Sequence, residues 1–89
     1  MSGSNQNPKF ALYHFVACPF CAVTRSALKH LDLDVEERDI RKQPHFRKEL
    51  IQGGGKGQVP CLRIEEAGKV TWLYESQDII RYLKQRAAA

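Results

Sequence analysis

Proline marks the points that decide the fold of this chain. Of four prolines among 89 residues, Pro19 and Pro44 each open a stretch with helical spacing, and Pro60 leads into a short apolar run. Proline suits the first turn of a helix, where its missing N–H would be unpaired anyway, and it is expelled from helix interiors. The chain is therefore cut into short elements, and long helices are excluded.

Lys9 to Phe15 (KFALYHF) is short, aromatic and aliphatic, the signature of a buried strand. From Pro19 a helix is predicted to about Leu31, with Val23, Ala27, Leu28 and Leu31 on one apolar face. Val35 to Ile40 reads as a second strand despite Glu36, Glu37 and Arg38. Pro44 opens a shorter helix that Gly53, Gly54 and Gly55 end. Val59 to Ile64 and Lys69 to Tyr74 read as two strands, and the short turn at Glu66-Ala67-Gly68 makes them an antiparallel hairpin. Glu75 to Arg86 is a last helix with Ile79, Ile80 and Leu83 as its buried stripe.

The order is β-α-β-α-β-β-α. A helix joins the first two strands, so they should be parallel with a right-handed crossover. A four-stranded mixed sheet flanked by helices follows, an α/β thioredoxin-like fold. One domain is expected over residues 9–86, with a polar, disordered segment at 1–8 and a short tail at 87–89.

A hydrophobic share of 43% can build one core and 27% charged residues can cover it. No apolar run approaches the roughly 18 residues that span a bilayer. The opening MSGSNQNPK is polar, unlike a secretory signal, so a cytoplasmic protein is expected. The net charge of +4 is scattered along the chain. Nucleic-acid binding favours a clustered basic stripe, so no nucleic acid and no membrane is expected as a partner. Short, charged sheet edges suggest a monomer.

Three cysteines cannot form a closed disulfide framework. Cys18 and Cys21 form one Cys-x-x-Cys, which in a reducing compartment points to redox or metal chemistry. Cys18 stands just before the proline-led helix, where unpaired N–H groups of the first turn would favour its thiolate. An ordinary thiol is only about 3% ionised at pH 7. Cys18 is the expected nucleophile, and Cys21, one turn deeper, the thiol that resolves the mixed disulfide. Pro19 fixes the turn between them. A structural zinc ion would need four ligands, and only Cys61, His14, His30 and His45 could complete the set. None of these makes a second close pair, and no metal is expected.

Pro60 is badly placed for ladder pairing at the start of a central strand unless it serves something specific. In a thioredoxin-like fold such a proline is cis and lies beside the cysteines, leaving the N–H and C=O of Val59 free for an extended substrate. Cys61 reads as a small buried strand residue, Phe10, Tyr13 and Trp72 as core, and His14 as a packed strand histidine.

From Phe10 to about Leu83 the chain resembles the glutaredoxin family. The resemblance rests on Cys18-Pro19-Phe20-Cys21, on Lys56-Gly57-Gln58-Val59-Pro60, and on the strand-to-helix corner Tyr74-Glu75-Ser76. It implies a glutathione-dependent thiol–disulfide oxidoreductase that acts on glutathione or protein mixed disulfides, with glutathione as co-substrate. Cys18 would carry the mixed disulfide and Val59 would bind the cysteinyl backbone. Lys56 would meet the glycine carboxylate, and Glu75 and Ser76 would hold the γ-glutamyl end. Pro19, Phe20, Gln58 and Pro60 would complete the substrate surface. Phe20, Phe15 and Gln58 stand where many glutaredoxins carry tyrosine, lysine and threonine. The corner Trp72-Leu73-Tyr74-Glu75-Ser76 is closer to the N-terminal domain of glutathione transferases. The alternative reading is a glutathione-binding or iron–sulfur carrier module; for the iron–sulfur version Pro19 would stiffen a loop that has to open.

Overall fold

The strand Lys9–His14 (β1) is buried from Phe10 onward, so it needs a covering layer on each face. A computed structural model describes residues 8–88. Of the segment 1–8 expected to be disordered, only Pro8 is among the described residues, and it is half-buried. The elements that follow β1 are α1 (Pro19–Leu28), β2 (Val35–Asp39), α2 (Pro44–Gly54), β3 (Cys61–Glu66), β4 (Lys69–Tyr74) and α3 (Ser76–Ala88).

The sheet order is β2-β1-β3-β4. β1 pairs in parallel with β2, Phe10 opposite Val35, and antiparallel to β3, Tyr13 opposite Cys61. β3 and β4 form the antiparallel hairpin. Ala67 and Gly68 both take positive φ, 55° and 80°, the backbone that lets a two-residue loop follow the strand twist. This is the thioredoxin-like arrangement that the element order predicts.

Alternation along the strands divides the core. Phe10, Leu12, Leu62 and Ile64 meet Ile79 and Leu83 of α3 on one face. Ala11, Tyr13 and Cys61 meet Ile40 and Leu50 on the other, with Phe46, Trp72 and Tyr74 packed at its edge. Contact of α2 with β4 is close enough to require glycine: a Cβ on Gly53 would strike the Trp72 ring, and one on Gly54 the Tyr74 hydroxyl. Gly55 then ends α2 with a left-handed φ of 90°.

The first helix departs from expectation in two ways. It ends at Leu28, after which His30 and Leu31 make tighter i→i+3 bonds to Ala27 and Leu28. Its buried residues are Cys21 and Thr24, while Val23 is 49% exposed. Setting Cys21 against the sheet turns Val23 to the far side of the helix, two residues round a 3.6-residue turn. β3 begins at Cys61 rather than Val59, because Pro60 has no N–H to give to the ladder. α3 begins one residue after Glu75 and carries Ala87 and Ala88 beyond the expected end at Arg86.

Candidate active site

The loop leaving β1 delivers Cys18 to the N-cap of α1, with extended φ and ψ of −78° and 119°. Its N–H donates to the Phe15 carbonyl at 3.1 Å, and its carbonyl accepts from Ala22 N–H at 3.0 Å. Pro19 fills the first helical position. The Cys21 N–H then donates to Cys18 Sγ at 3.3 Å, so the sulfur takes the place a serine or aspartate oxygen has in an ordinary cap. No acidic side chain stands in the first turn to oppose a negative charge there.

The two thiols are unlike. Cys18 is 7% exposed, at the edge of the surface, and Cys21 is fully buried. Burial, followed by the hydrogen bond with Cys18, pushes the Cys21 thiol up to about 12; the Phe15 backbone and the Arg25 guanidinium pull the other way. Cys21 is thus held as a thiol at neutral pH while the helix end faces Cys18. Cys61 lies fully buried on the other side of the sheet, its thiol raised to about 11 by burial. All three cysteines are free.

Beside the motif lies a cleft of about 160 Å³ lined by Phe20, Gln58, Val59, Pro60, Glu75 and Ser76. Six residues proposed from three separate stretches of sequence therefore share one wall-to-wall space. The Val59–Pro60 peptide is cis. Glu75 has a left-handed φ of 78° and its carbonyl accepts the Ile79 N–H at 3.0 Å, so it joins α3 through its backbone. Gln58 Nε2 donates to Glu75 Oε2 at 3.5 Å across the cleft. Ser76 is buried at the start of α3. A carboxylate, a hydroxyl and the N–H groups of a helix start can together hold a ligand end that carries one ammonium and one carboxylate.

Lys56 stands apart from this lining. Its Nζ lies 4.7 Å from the centre of the Tyr74 ring, and its carbonyl accepts the Tyr74 hydroxyl at 2.9 Å. Phe20 is 62% exposed, Val16 60% and Val23 49%, so apolar surface flanks the motif. Among the described residues no group of three or more His, Cys, Asp or Glu side chains could share a metal ion.

One group beside the motif was not foreseen. Arg25 follows Cys21 by one helical turn, and its Nε lies 3.5 Å from Glu37 Oε1. His14 Nε2 lies 3.7 Å from the same oxygen. The i,i+4 spacing of Cys21 and Arg25 is visible in the sequence; the approach of Glu37 depends on the pairing of β1 with β2.

The sequence profile of the family described as glutathione S-transferase, N-terminal domain, matches residues 12–89. The chain belongs to that family. No curated protein matches it. Among solved structures, an epsilon-class glutathione S-transferase from the housefly Musca domestica is 26% identical with a TM-score of 0.68, over 89% of this chain and 35% of the transferase. A maleylacetoacetate isomerase from Anaeromyxobacter dehalogenans with bound GSH is 26% identical with a TM-score of 0.60, over 93% of this chain and 39% of the isomerase. The thioredoxin-like protein BC3987, at 24% identity and a TM-score of 0.66, is matched over its whole length by 84% of this chain. The chain thus spans well under half the length of the transferase and isomerase structures. The family match agrees with the resemblance read in the Trp72–Ser76 corner. It shows a thioredoxin-like domain of the glutathione-transferase class, a coarser statement than the glutaredoxin resemblance.

Proposed function

We propose that this domain is a glutathione-dependent thiol–disulfide oxidoreductase of the glutaredoxin type. The observation that carries the reading is the Cys21 N–H aimed at Cys18 Sγ on a helix N-cap, 3.3 Å away. A thiolate at Cys18 attacks one sulfur of a substrate disulfide; a mixed disulfide forms and the other sulfur leaves with its electron pair. The mixed disulfide is then resolved either by the Cys21 thiolate or by glutathione. Attack by Cys21 closes a Cys18–Cys21 bond, which two glutathione molecules reduce while becoming glutathione disulfide.

In this reading glutathione lies in the cleft. Glu75 and Ser76 hold its γ-glutamyl end, Val59 pairs with its cysteinyl backbone, and Phe20, Gln58 and Pro60 form the walls. Lys56 meets the glycine carboxylate by leaving the Tyr74 ring. The isomerase relative with bound GSH supports this choice of ligand, and a reducing cytoplasmic setting suits three free thiols. Disulfide-bearing proteins are the second substrate class.

The test is glutathione-coupled reduction of a small glutathione mixed disulfide by the native chain, Cys18→Ser and Cys21→Ser. Loss of Cys18 abolishes turnover. Loss of Cys21 spares glutathione mixed disulfides and impairs protein disulfides. Full activity in Cys18→Ser would overturn the assignment.

The family match favours a second reading, a glutathione-binding domain that serves conjugation or isomerisation as in a transferase. Glutathione would then be consumed in conjugating an electrophile such as an aryl halide, or added and released again in an isomerisation, and Cys21→Ser would leave either reaction untouched. Dependence of protein-disulfide reduction on Cys21 separates the two.

A further inference from the structure

The thiol that must resolve the mixed disulfide is the fully buried member of the pair, pushed up to about 12 by that burial, which leaves open what readies it. The inward stripe of α1 carries Cys21, Thr24, Arg25 and Leu28 toward the sheet. Beneath it, Leu12 and His14 of β1 and Glu37 of β2 share one face, since Leu12 is the register partner of Glu37 and His14 that of Asp39. Arg25 is three-quarters buried, and His14 is 95% buried. Arg25 Nε and His14 Nδ1 are both buried with no hydrogen-bond partner. Buried polar groups without a hydrogen bond are costly, and Arg25 Nε is compensated only by its ion pair with Glu37; neither group lines the cleft of Phe20, Gln58 and Ser76. Their own cleft, about 340 Å³, is also lined by Val16, Asp39 and Lys42.

We propose that Arg25 is a positioning residue for the second thiol-exchange step: its guanidinium stabilises the Cys21 thiolate as it forms, and Glu37, its ion-pair partner, sets how much of that charge Cys21 feels. The inference rests on the dithiol reading above. In the step concerned, the Cys21 thiolate attacks Cys18 Sγ of the mixed disulfide. The Cys18–Cys21 bond forms, the bond from Cys18 to the bound thiol breaks, and that thiol departs with the electron pair and takes up a proton. A cation one turn away favours the attacking anion.

The charged and titratable groups around this path come from each packed element. Cys18 and Arg25 act on Cys21. Arg25 and Lys42 disfavour a proton on His14, while Glu37 and Asp39 favour one. The sulfur itself lies against the Phe15 backbone.

The experiment uses an aromatic disulfide whose thiolate leaving group is coloured. Attack by Cys18 releases one coloured thiolate, and attack by Cys21 releases the second. The second phase is identified by its loss in Cys21→Ser, and it needs no glutathione. Across the neutral range, Arg25→Gln is expected to slow that phase about three- to fourfold at every pH, the tenfold loss of thiolate from one unit in the Cys21 titration being partly offset by the greater nucleophilicity of a more basic thiolate. Arg25→Lys keeps the charge and restores most of the rate. Glu37→Gln frees the guanidinium and speeds the phase. Structural damage would slow all three variants, so opposite signs for Arg25→Gln and Glu37→Gln carry the proposal. An unchanged second phase in Arg25→Gln, or a lysine variant no faster than the glutamine one, overturns it while leaving the dithiol reading intact. A native chain with no second phase overturns both.

Discussion

Gln58 Nε2 donates to Glu75 Oε2 at 3.5 Å and so joins the loop before β3 to the first residue ahead of α3. The bond is long and correspondingly weak, which leaves the carboxylate free to exchange it for a better donor. Its backbone setting is costly: a left-handed φ of 78° in a residue other than glycine costs roughly 1–2 kcal/mol. Under the proposed function, that strain is offset by what the acidic side chain does in the cleft.

Glu75→Gly tests that use by separating stability from binding. Glycine adopts the same φ without strain, so the variant should be more stable to urea by up to about 1 kcal/mol after the extra chain entropy of glycine is set against the relief. Under the proposed function its KM for a glutathione mixed disulfide should rise about tenfold, the loss of one charge-assisted contact to the ammonium. A stabler protein with an unchanged KM would take Glu75 out of the binding site.

Gly53→Ala reverses an ordinary rule. Alanine in a helix interior normally gains about 1 kcal/mol over glycine, but here the new methyl would enter the Trp72 ring. The variant should lose about 1–3 kcal/mol, the usual cost of overpacking. Trp72 is the single tryptophan, so its fluorescence maximum should shift to longer wavelength as α2 lifts from β4. A stabilised variant with native fluorescence would show that α2 yields easily.

Much of this was legible in the residues. Pro19 and Pro44 start helices in the structure where they start them in the sequence, and the Ala67-Gly68 turn sets the hairpin register. Cys18 at a helix start follows from the proline after it. The misread face of α1 has a physical cause: a pattern of apolar residues does not say which way a helix faces when a polar residue competes for the inside. Thr24 is buried in place of Val23 because its hydroxyl donates to the Phe20 carbonyl at 2.9 Å, which makes it apolar in effect. Arg25, Glu37 and His14 come together only through the parallel pairing of β1 and β2, which no local pattern reports.

The corrected facing of α1 has an energetic consequence. Leu62 is fully buried in the central strand β3 beside Ile79 and Leu83, so Leu62→Ala should cost about 2–5 kcal/mol in denaturant unfolding. Val23→Ala, at a half-exposed position, should cost no more than about 0.5 kcal/mol. A cost for Val23→Ala near that of Leu62→Ala would mean that α1 presents a different face to the sheet.

His14 should make stability fall on mild acidification. Burial, with help from the nearby Arg25, lowers its titration below the ordinary 6.5, against the opposing pull of Glu37 and Asp39. The folded state therefore holds the imidazole neutral at a pH where the unfolded chain already binds a proton. By linkage, the contribution is complete above the unfolded value near 6.5, and it is lost as the pH falls from there through the lower folded value. His14→Gln cannot bind that proton, so unfolding free energies measured in urea from pH 8 down to pH 5 should decline less steeply for the variant than for the native chain. Carboxylates that do not act on His14, such as Glu36, held below its usual range by the Arg38 guanidinium, titrate in both proteins and cancel in the difference. Parallel curves would place His14 in a site where it can protonate freely in the folded state, and the buried, neutral imidazole beneath α1 would have to be given up.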